Sequence, residues 1–475
     1  MGYLRIFQSA RRRKLASPQV AYSETTKSLI LPAMQVFRIT LLLSVSALAA
    51  AQSTIPSKTP WKMQESGTTA GLRGIDSVDG MVAWASGSGG TVLKTIDGGA
   101  HWTQCAVPDA AKDGATLDFR GVQAFDAKTA FVMSSGKGKI SRIYKTADGC
   151  KTWKYSNIND YPDGFYDAFR FWDRKHGFII GDPMMQSVFS GCAYREDCIK
   201  EKAELSPGLA EYNGPWRRFL MRYTIDGGKG WSQSFLSPGS ALGVDADIDE
   251  GEAFAASNSS LFMPFQVPSQ CWPYPTIASD RAWIGFGGQG GARVLLGKNP
   301  ARIACKSTVP KRRLKKGVID STELVWSKIV PVPLAGGTES SGIFSIAFRQ
   351  ESNQVRITGV IKNFPNADTY GYLNGVAVGG DYTKPAEGKG TAAWSADGGN
   401  HWTASTTPPH GFRSAVQWSE TLKLWITVGT NGSDVSRDDG KTWQPLDNGN
   451  WNALSLPFVV GPNGRIARLN PAALP

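Results

Sequence analysis

Polar turns of one kind interrupt short β-rich runs at five places in the chain. Thr91-Val92-Leu93-Lys94 leads into Thr95–Trp102 (TIDGGAHW), and Arg142-Ile143-Tyr144-Lys145 into Thr146–Trp153 (TADGCKTW). The turn returns at Thr224–Trp231 (TIDGGKGW), Ser395–Trp402 (SADGGNHW) and Ser436–Trp443 (SRDDGKTW). The shared pattern is Ser/Thr-x-Asp-x-Gly-x-x-Trp, broken once where Cys150 holds the glycine position. Asp-Gly between strands is a hairpin signal: glycine accepts positive φ, and the Asp carboxylate and Ser/Thr hydroxyl bond nearby backbone N–H groups. The closing tryptophan re-enters the sheet and buries a large ring. Five such self-satisfied loops predict a repeat protein.

These turns resemble the Asp-box (BNR) repeat, which marks the loop between the third and fourth strands of β-propeller blades in sialidases, sortilin-like receptors and photosystem II assembly factors. The resemblance implies a structural role for Asp97, Asp148, Asp226, Asp397 and Asp438, on the face opposite the ligand site. Box-to-box intervals of 51, 78, 171 and 41 residues compare with roughly 40–50 per blade in such repeats. The long interval has room for a blade without a box. Its strands are Ala282–Gly285 and Ala292–Leu296, with a basic loop before Trp326.

A second element, Leu72-Arg73-Gly74-Ile75, Phe119-Arg120-Gly121-Val122, Phe169-Arg170-Phe171-Trp172 and Phe412-Arg413-Ser414-Ala415, opens blades and precedes a strand ending in glycine. Openings near Leu72, Phe119, Phe169, Ala253, Phe344, Phe412 and Trp451 predict seven blades. The last unit, residues 451–469, lacks a fourth strand. Trp61-Lys62-Met63 matches the strands after the boxes, so residues 60–67 are expected to complete it and leave no free edge. The expectation is one all-β, seven-bladed propeller over residues 52–475, with insertions near 184–217, 298–325 and 350–373.

Composition fits this outline: 53 glycines, 16 tryptophans and only 19% charged residues favour tight turns and short packed strands over long helices or disorder. Ile39–Ala51 is an apolar run ending in small residues, a signal-peptide pattern too short to span a bilayer comfortably. Residues 1–51 are expected to be removed near Ala51, with Met34 an alternative start, and the mature chain to be exported without a membrane span. That segment holds seven basic residues and one acid, so the formal charge falls from +12 to +6. The run Lys311–Lys316 then reads as a solvated loop, and no nucleic-acid partner is expected. Six cysteines permit disulfides after export. Cys192 with Cys198 is the expected pair, Cys271 with Cys305 is possible, and the sequence assigns neither Cys105 nor Cys150. Four histidines argue against a histidine-rich metal site, and no cofactor is expected.

The arginine-bearing openings, the boxes and the export signal together resemble photosystem II stability/assembly-factor-like propellers over roughly residues 60–470. That resemblance implies a non-catalytic scaffold binding a protein partner, such as a membrane-protein assembly intermediate, and a monomer is expected. Loops of a propeller alternate between two faces. Arg73, Arg120, Arg170 and Arg413 are therefore expected around the central funnel opposite the boxes, with Asp182, Glu339 and Asp381 in loops on the same side. Guanidinium groups at a concave mouth favour carboxylates or an acidic protein segment. The competing reading is an Asp-box glycosidase of sialidase type, which needs an arginine cluster, a Tyr–Glu nucleophile pair and an acidic donor. Tyr166, Glu339 and Asp182 or Asp381 are its candidates.

Overall fold

The computed structural model describes residues 59–108, 117–186, 216–236, 251, 253–254, 257–264, 281–298, 325–349 and 374–475. The expected signal peptide, the pairs Cys192–Cys198 and Cys271–Cys305, and most of the three insertions lie outside the described residues. Within these residues there are 28 strands and no α-helix, only short 3-10 turns. No helix among them is long and apolar enough to cross a membrane.

The strands sort into four-stranded antiparallel meanders, numbered here in chain order. Sheet 1 runs through Leu72–Ser77, Ala83–Gly87, Val92–Thr95 and Thr103–Gln104. Sheet 2 follows with Phe119–Ala124, Ala130–Ser134, Arg142–Thr146 and Lys154–Ile158; sheet 3 with Tyr166–Phe171, Gly177–Gln186, Trp216–Thr224 and Ser232–Leu236. Sheet 4 comprises Leu261–Phe262, Arg281–Gly288, Arg293–Lys298 and Val325–Pro331. Sheet 5, Thr338–Arg349, Asn374–Asp381, Ala392–Ser395 and Thr403–Ala404, joins sheet 4 through the pairs Gly287–Gly342 and Gly288–Thr338. Sheet 6 holds Ala415–Ser419, Leu424–Gly429, Gly432–Ser436 and Gln444–Asp447. Sheet 7 holds Ala453–Ser455, Phe458–Val460 and Ile466–Leu469, and its fourth strand is Trp61–Gln64 from the other end of the chain. Trp61 pairs with Leu469 and Gln64 with Ile466, so the N-terminal strand covers the edge as expected.

The first strand of each sheet lies against the first strand of the next, and that of sheet 7 lies against sheet 1. This is the closed circuit of a β-propeller. Its hydrophobic core is not central. One apolar cluster fills each seam: Phe458 and Ile466 meet Leu72 and Ala85 between sheets 7 and 1, while Trp84 meets Phe119 and Tyr144 between sheets 1 and 2. The clusters between the other consecutive sheets follow the same plan. A tryptophan just before or at the start of each fourth strand enters the seam with the preceding sheet. These are Trp102, Trp153, Trp231, Trp326, Trp402, Trp443 and Trp61. Sheets 4 and 7 carry this tryptophan without a box.

The openings depart from expectation in three places, the first being sheet 4, whose first strand is Leu261–Phe262 and not near Ala253. Glycines ending the second strands seat against the backbone of the opening residue: a Cβ on Gly87 would lie 3.0 Å from the Leu72 Cα, and one on Gly429 3.0 Å from the Arg413 Cα. Arg413 therefore occupies the seam position of Leu72, one residue out of step with Arg73. Sheet 3 opens at Tyr166 rather than Phe169, with Tyr166 paired to Gly181. This makes Arg170 the counterpart of Asp76 and Gln123, farther along the strand, since these pair with Phe178, Trp84 and Phe131 respectively.

Trp61 is buried, its indole N–H donating to Ser433 Oγ at 3.0 Å and its ring 6.0 Å from Trp451. Trp61→Ala should cost about 3–5 kcal/mol in denaturant unfolding. Deleting residues 59–64 should also expose the Ile466–Leu469 edge and produce aggregates visible by light scattering. A soluble deletion variant with unchanged stability would contradict this closure.

Candidate functional site

The geometry of the boxes decides which face is left for binding. In each, the Ser/Thr hydroxyl donates to the Asp carboxylate and accepts the N–H of the box-glycine position. For Thr95 these distances are 2.8 Å to Asp97 and 2.9 Å from Gly99; for Ser436 they are 2.8 Å to Asp438 and 2.9 Å from Gly440. The same carboxylate accepts the N–H four residues on: His101, Thr152, Gly230, His401 and Thr442. Asp97, Asp148, Asp226, Asp397 and Asp438 thus spend their oxygens on their own turns. Hydrogen bonds from Thr152 hold Asp148 down to about 2, and those from His101 hold Asp97 below the carboxylate range.

Boxes join third to fourth strands, so the first strands begin on the opposite face. There a β-bulge sets one residue outside the ladder. The bulge residue is Arg73 between Leu72 and Gly74, Arg120 between Phe119 and Gly121, Asp167 between Tyr166 and Ala168, and Phe344 between Ile343 and Ser345. Arg73 and Arg120 are brought together across the seam of sheets 1 and 2. Arg120 Nε donates to Asp118 Oδ2 at 2.9 Å, and Arg73 Nε lies 3.5 Å from Asp118 Oδ1. Their side chains keep 34% and 43% of their surface, so two cations share one carboxylate and still face solvent. Asp118 carried no signal in the sequence.

The other two arginines do not join them. Arg413 is fully buried: Nε donates to Asp434 Oδ2 at 2.7 Å, NH1 to the Phe412 carbonyl at 2.7 Å, and NH2 reaches His410 Nδ1 at 2.9 Å. Burial pulls its pKa below the usual arginine range, opposed by Asp434. It is a seam residue and presents nothing to a ligand. Arg170 lies near Asp76, whose carboxyl is pushed up by burial while Arg170 and the Ala124 N–H oppose the shift.

The acidic candidates divide similarly. Asp381 accepts from Thr383 N at 3.0 Å and Thr383 Oγ1 at 2.6 Å, which hold it at about 2; it caps its own turn. Asp182 sits in a bulge of sheet 3 with its N–H on the Phe165 carbonyl, and Glu339 is exposed in sheet 5. Tyr166 is fully buried, donates to Asn157 Oδ1 at 2.5 Å and is shifted upward by burial. It has no access to a substrate. No group of three or more metal-ligating side chains occurs among the described residues.

Sequence reasoning also missed a strap across the ring. Asn258 accepts the Phe169 N–H at 3.1 Å and donates to the Val122 carbonyl at 3.4 Å, reaching sheets 3 and 2. Ser259 Oγ lies 3.3 Å from the carbonyls of Phe344 and Ser414, in sheets 5 and 6, and Ser260 accepts from Gly285 in sheet 4. Three consecutive residues, Asn258, Ser259 and Ser260, thus bond to five sheets. Beside them Phe254 stacks on Phe344 at 4.1 Å, and Phe412 meets Phe344 edge-on at 4.8 Å. The aromatic side of the mouth thus belongs to sheets 5 and 6 and the basic side to sheets 1 and 2.

Two outcomes follow. Asn258→Ala should lower stability by about 1–3 kcal/mol, since it orphans buried partners in two sheets; thermal melting at neutral pH reads this. The box carboxylates titrate below their ordinary 3.8, so their contribution is complete above that value and disappears as pH falls through the folded values. Melting temperature should hold between pH 7 and 5 and drop below about pH 4. Asp97→Asn should flatten that acid limb; an unaltered limb would refute the assignment.

Neither a protein-family model nor a curated protein sequence matches this chain. Among solved structures it is similar to YCF48 bound to D1 peptide, at 14% identity over 86% of this chain and 95% of that one, with a TM-score of 0.46. YCF48 from Cyanidioschyzon merolae is similar at 15% identity, over 87% of this chain and 100% of that one, with a TM-score of 0.35. The GH74 xyloglucanase from Xanthomonas campestris is similar at 12% identity, over 79% of this chain and 50% of that one, with a TM-score of 0.30.

Proposed function

We propose that this chain is an exported, monomeric, seven-bladed propeller that performs no chemistry and captures an anionic protein segment at the mouth opposite its boxes. The observation that carries the reading is the pair Arg73 and Arg120, half-exposed on adjacent bulges with a single carboxylate between them. Guanidinium groups offer forked, charge-assisted hydrogen bonds, and here their positive charge exceeds the local negative charge by one. The client class is a membrane-protein assembly intermediate, the role that the boxes and the Leu-Arg-Gly-Ile opening imply by resemblance. A disulfide between Cys105 and Cys150 supports export, because such bonds persist in oxidising compartments.

The glycosidase alternative gains no support from its candidates. Tyr166 is sealed, Asp381 is held in its turn, and Glu339 stands exposed two sheets from Tyr166. No second reading is favoured.

The test is a double charge reversal, Arg73→Glu with Arg120→Glu, assayed by fluorescence anisotropy with a labelled hexaglutamate peptide. Each lost charged hydrogen bond is worth about 1.5–3 kcal/mol, so affinity should fall by roughly a hundredfold or more in a variant that circular dichroism shows to be folded. Wild-type binding should weaken with added salt. Undiminished binding by the folded variant would refute the reading. So would aryl-glycoside turnover that is lost in Glu339→Gln.

A further inference from the structure

The residue three places after the closing tryptophan has one job at several seams. Gln64, three after Trp61, donates to the Gly98 carbonyl at 3.0 Å and accepts the Trp102 indole N–H at 3.2 Å. Ser156, three after Trp153, donates to the Gly228 carbonyl at 2.7 Å and accepts from Trp231 at 3.1 Å. Ser405, three after Trp402, donates to the Gly440 carbonyl at 2.5 Å and lies 3.3 Å from the Trp443 indole nitrogen. Each polar side chain thus locks one sheet to the box and tryptophan of the next.

At the seam of sheets 1 and 2 that position is Cys105, three after Trp102. The box-glycine position facing it is Cys150, held at φ +68° as the glycines are. The two form a disulfide with Cα atoms 5.6 Å apart, closing a separation of 45 residues. A covalent bond has replaced the hydrogen-bonded latch. The replacement has a visible cost: the Trp153 indole nitrogen is buried without a hydrogen-bond partner, since sulfur is a poor acceptor where Gln64, Ser156 and Ser405 supply oxygen. Of the polar contacts across this rim, Lys94 Nζ to the Gly149 carbonyl at 2.9 Å and the Trp84 indole N–H to the Asp126 carbonyl at 3.1 Å stay. The inner end of the same seam carries Arg73 on one side and Asp118 with Arg120 on the other.

We infer that the Cys105–Cys150 disulfide is a redox-sensitive staple that fixes the spacing of Arg73 and Arg120, so that its reduction weakens capture of the anionic segment. This rests on the arginine-pair reading of the mouth. Cys105 is buried and Cys150 half-buried, so a dithiol reductant attacks the Cys150 sulfur. The S–S bond breaks and Cys105 leaves as a thiolate. The reductant's second thiol displaces Cys150 and departs as a cyclic disulfide, and its two protons pass to the protein thiols. Neither thiol restores the oxygen latch, and the seam is left with the Lys94 and Trp84 hydrogen bonds, the Ala124 N–H on Asp76 and its apolar packing.

The experiment compares wild type with Cys105→Ser/Cys150→Gly, which rebuilds at this seam the Ser–Gly latch of Ser156 with Gly228. Both are measured with and without dithiothreitol, by hexaglutamate anisotropy and by amide hydrogen exchange. Reduction of wild type should weaken binding about fivefold or more and release protection at residues 103–105 and 150–154. The double variant should bind like oxidised wild type and ignore the reductant, which also isolates this bond from the other four cysteines. Unchanged affinity and exchange on reduction would overturn the staple, as would a double variant that still responds to reductant. Released protection with no peptide binding in either redox state would instead overturn the arginine reading, and the coupling with it.

Discussion

The ring depends on one repeated contact, a tryptophan driven from each sheet into the seam with the sheet before it. Burying such a ring removes about 150–250 Å² from water, the largest apolar contribution a single side chain makes. Because the core is divided among seams, no sheet is stable on its own. Each four-stranded unit is wetted on both faces unless a neighbour covers them, and only a closed circuit covers them all. Trp61 therefore matters out of proportion to its place near the start of the described chain. It supplies the tryptophan of sheet 7, which has no box, and joins Trp451, Ser433 and the Asp447 network in the last seam.

The boxes serve that contact and nothing beyond the rim. Their Asp and Ser/Thr side chains are consumed inside the turn, which holds the following backbone so that the tryptophan points inward. The glycine position faces the preceding sheet closely enough that a side chain there must be accommodated. At Gly99 it would meet Gln64, and at Gly228 it would meet Ser156. Cysteine is tolerated at position 150 because the facing residue is also cysteine. The departure from the pattern and the covalent bond are one event.

How far the sequence reveals this structure follows from which features are local. An Asp-box turn is written in eight consecutive residues, and the strands on either side announce themselves by composition; these are legible. The strand Trp61–Gln64 is legible for the same reason, since Trp61-Lys62-Met63 copies the pattern after a box. Register is not local in this sense. Phe169-Arg170 and Phe412-Arg413 read like Phe119-Arg120, but pairing with the second strand decides which residue bulges out, and an offset of one residue sends Arg413 into the seam. Asp118, Asp434 and Asn258 were invisible because each acts on residues far along the chain or set by that register. The pairing of Cys105 with Cys150 was legible in principle, as the third residue after one tryptophan and the glycine position of the next box. It needed the knowledge that these two positions touch.

The division between rim and mouth explains where such a ring is free to vary. A residue in a seam must match the shape of the adjoining sheet, and a residue in a box must supply a particular hydrogen bond. At two of the bulges the residue escapes both obligations, since Arg73 and Arg120 stand outside the ladder, keep part of their surface and leave the pairing to their neighbours. The bulges here hold Arg73, Arg120, Asp167 and Phe344, three kinds of side chain at equivalent places on one backbone plan, with the arginines half-exposed and Asp167 and Phe344 buried. Changing either arginine alters the charge and surface of the mouth while leaving the tryptophan contacts intact. Binding character is thus set by the exposed bulge positions, while the strap at Asn258 and Ser259 ties the neighbouring sheets together through the backbone groups of Val122, Phe169, Phe344 and Ser414.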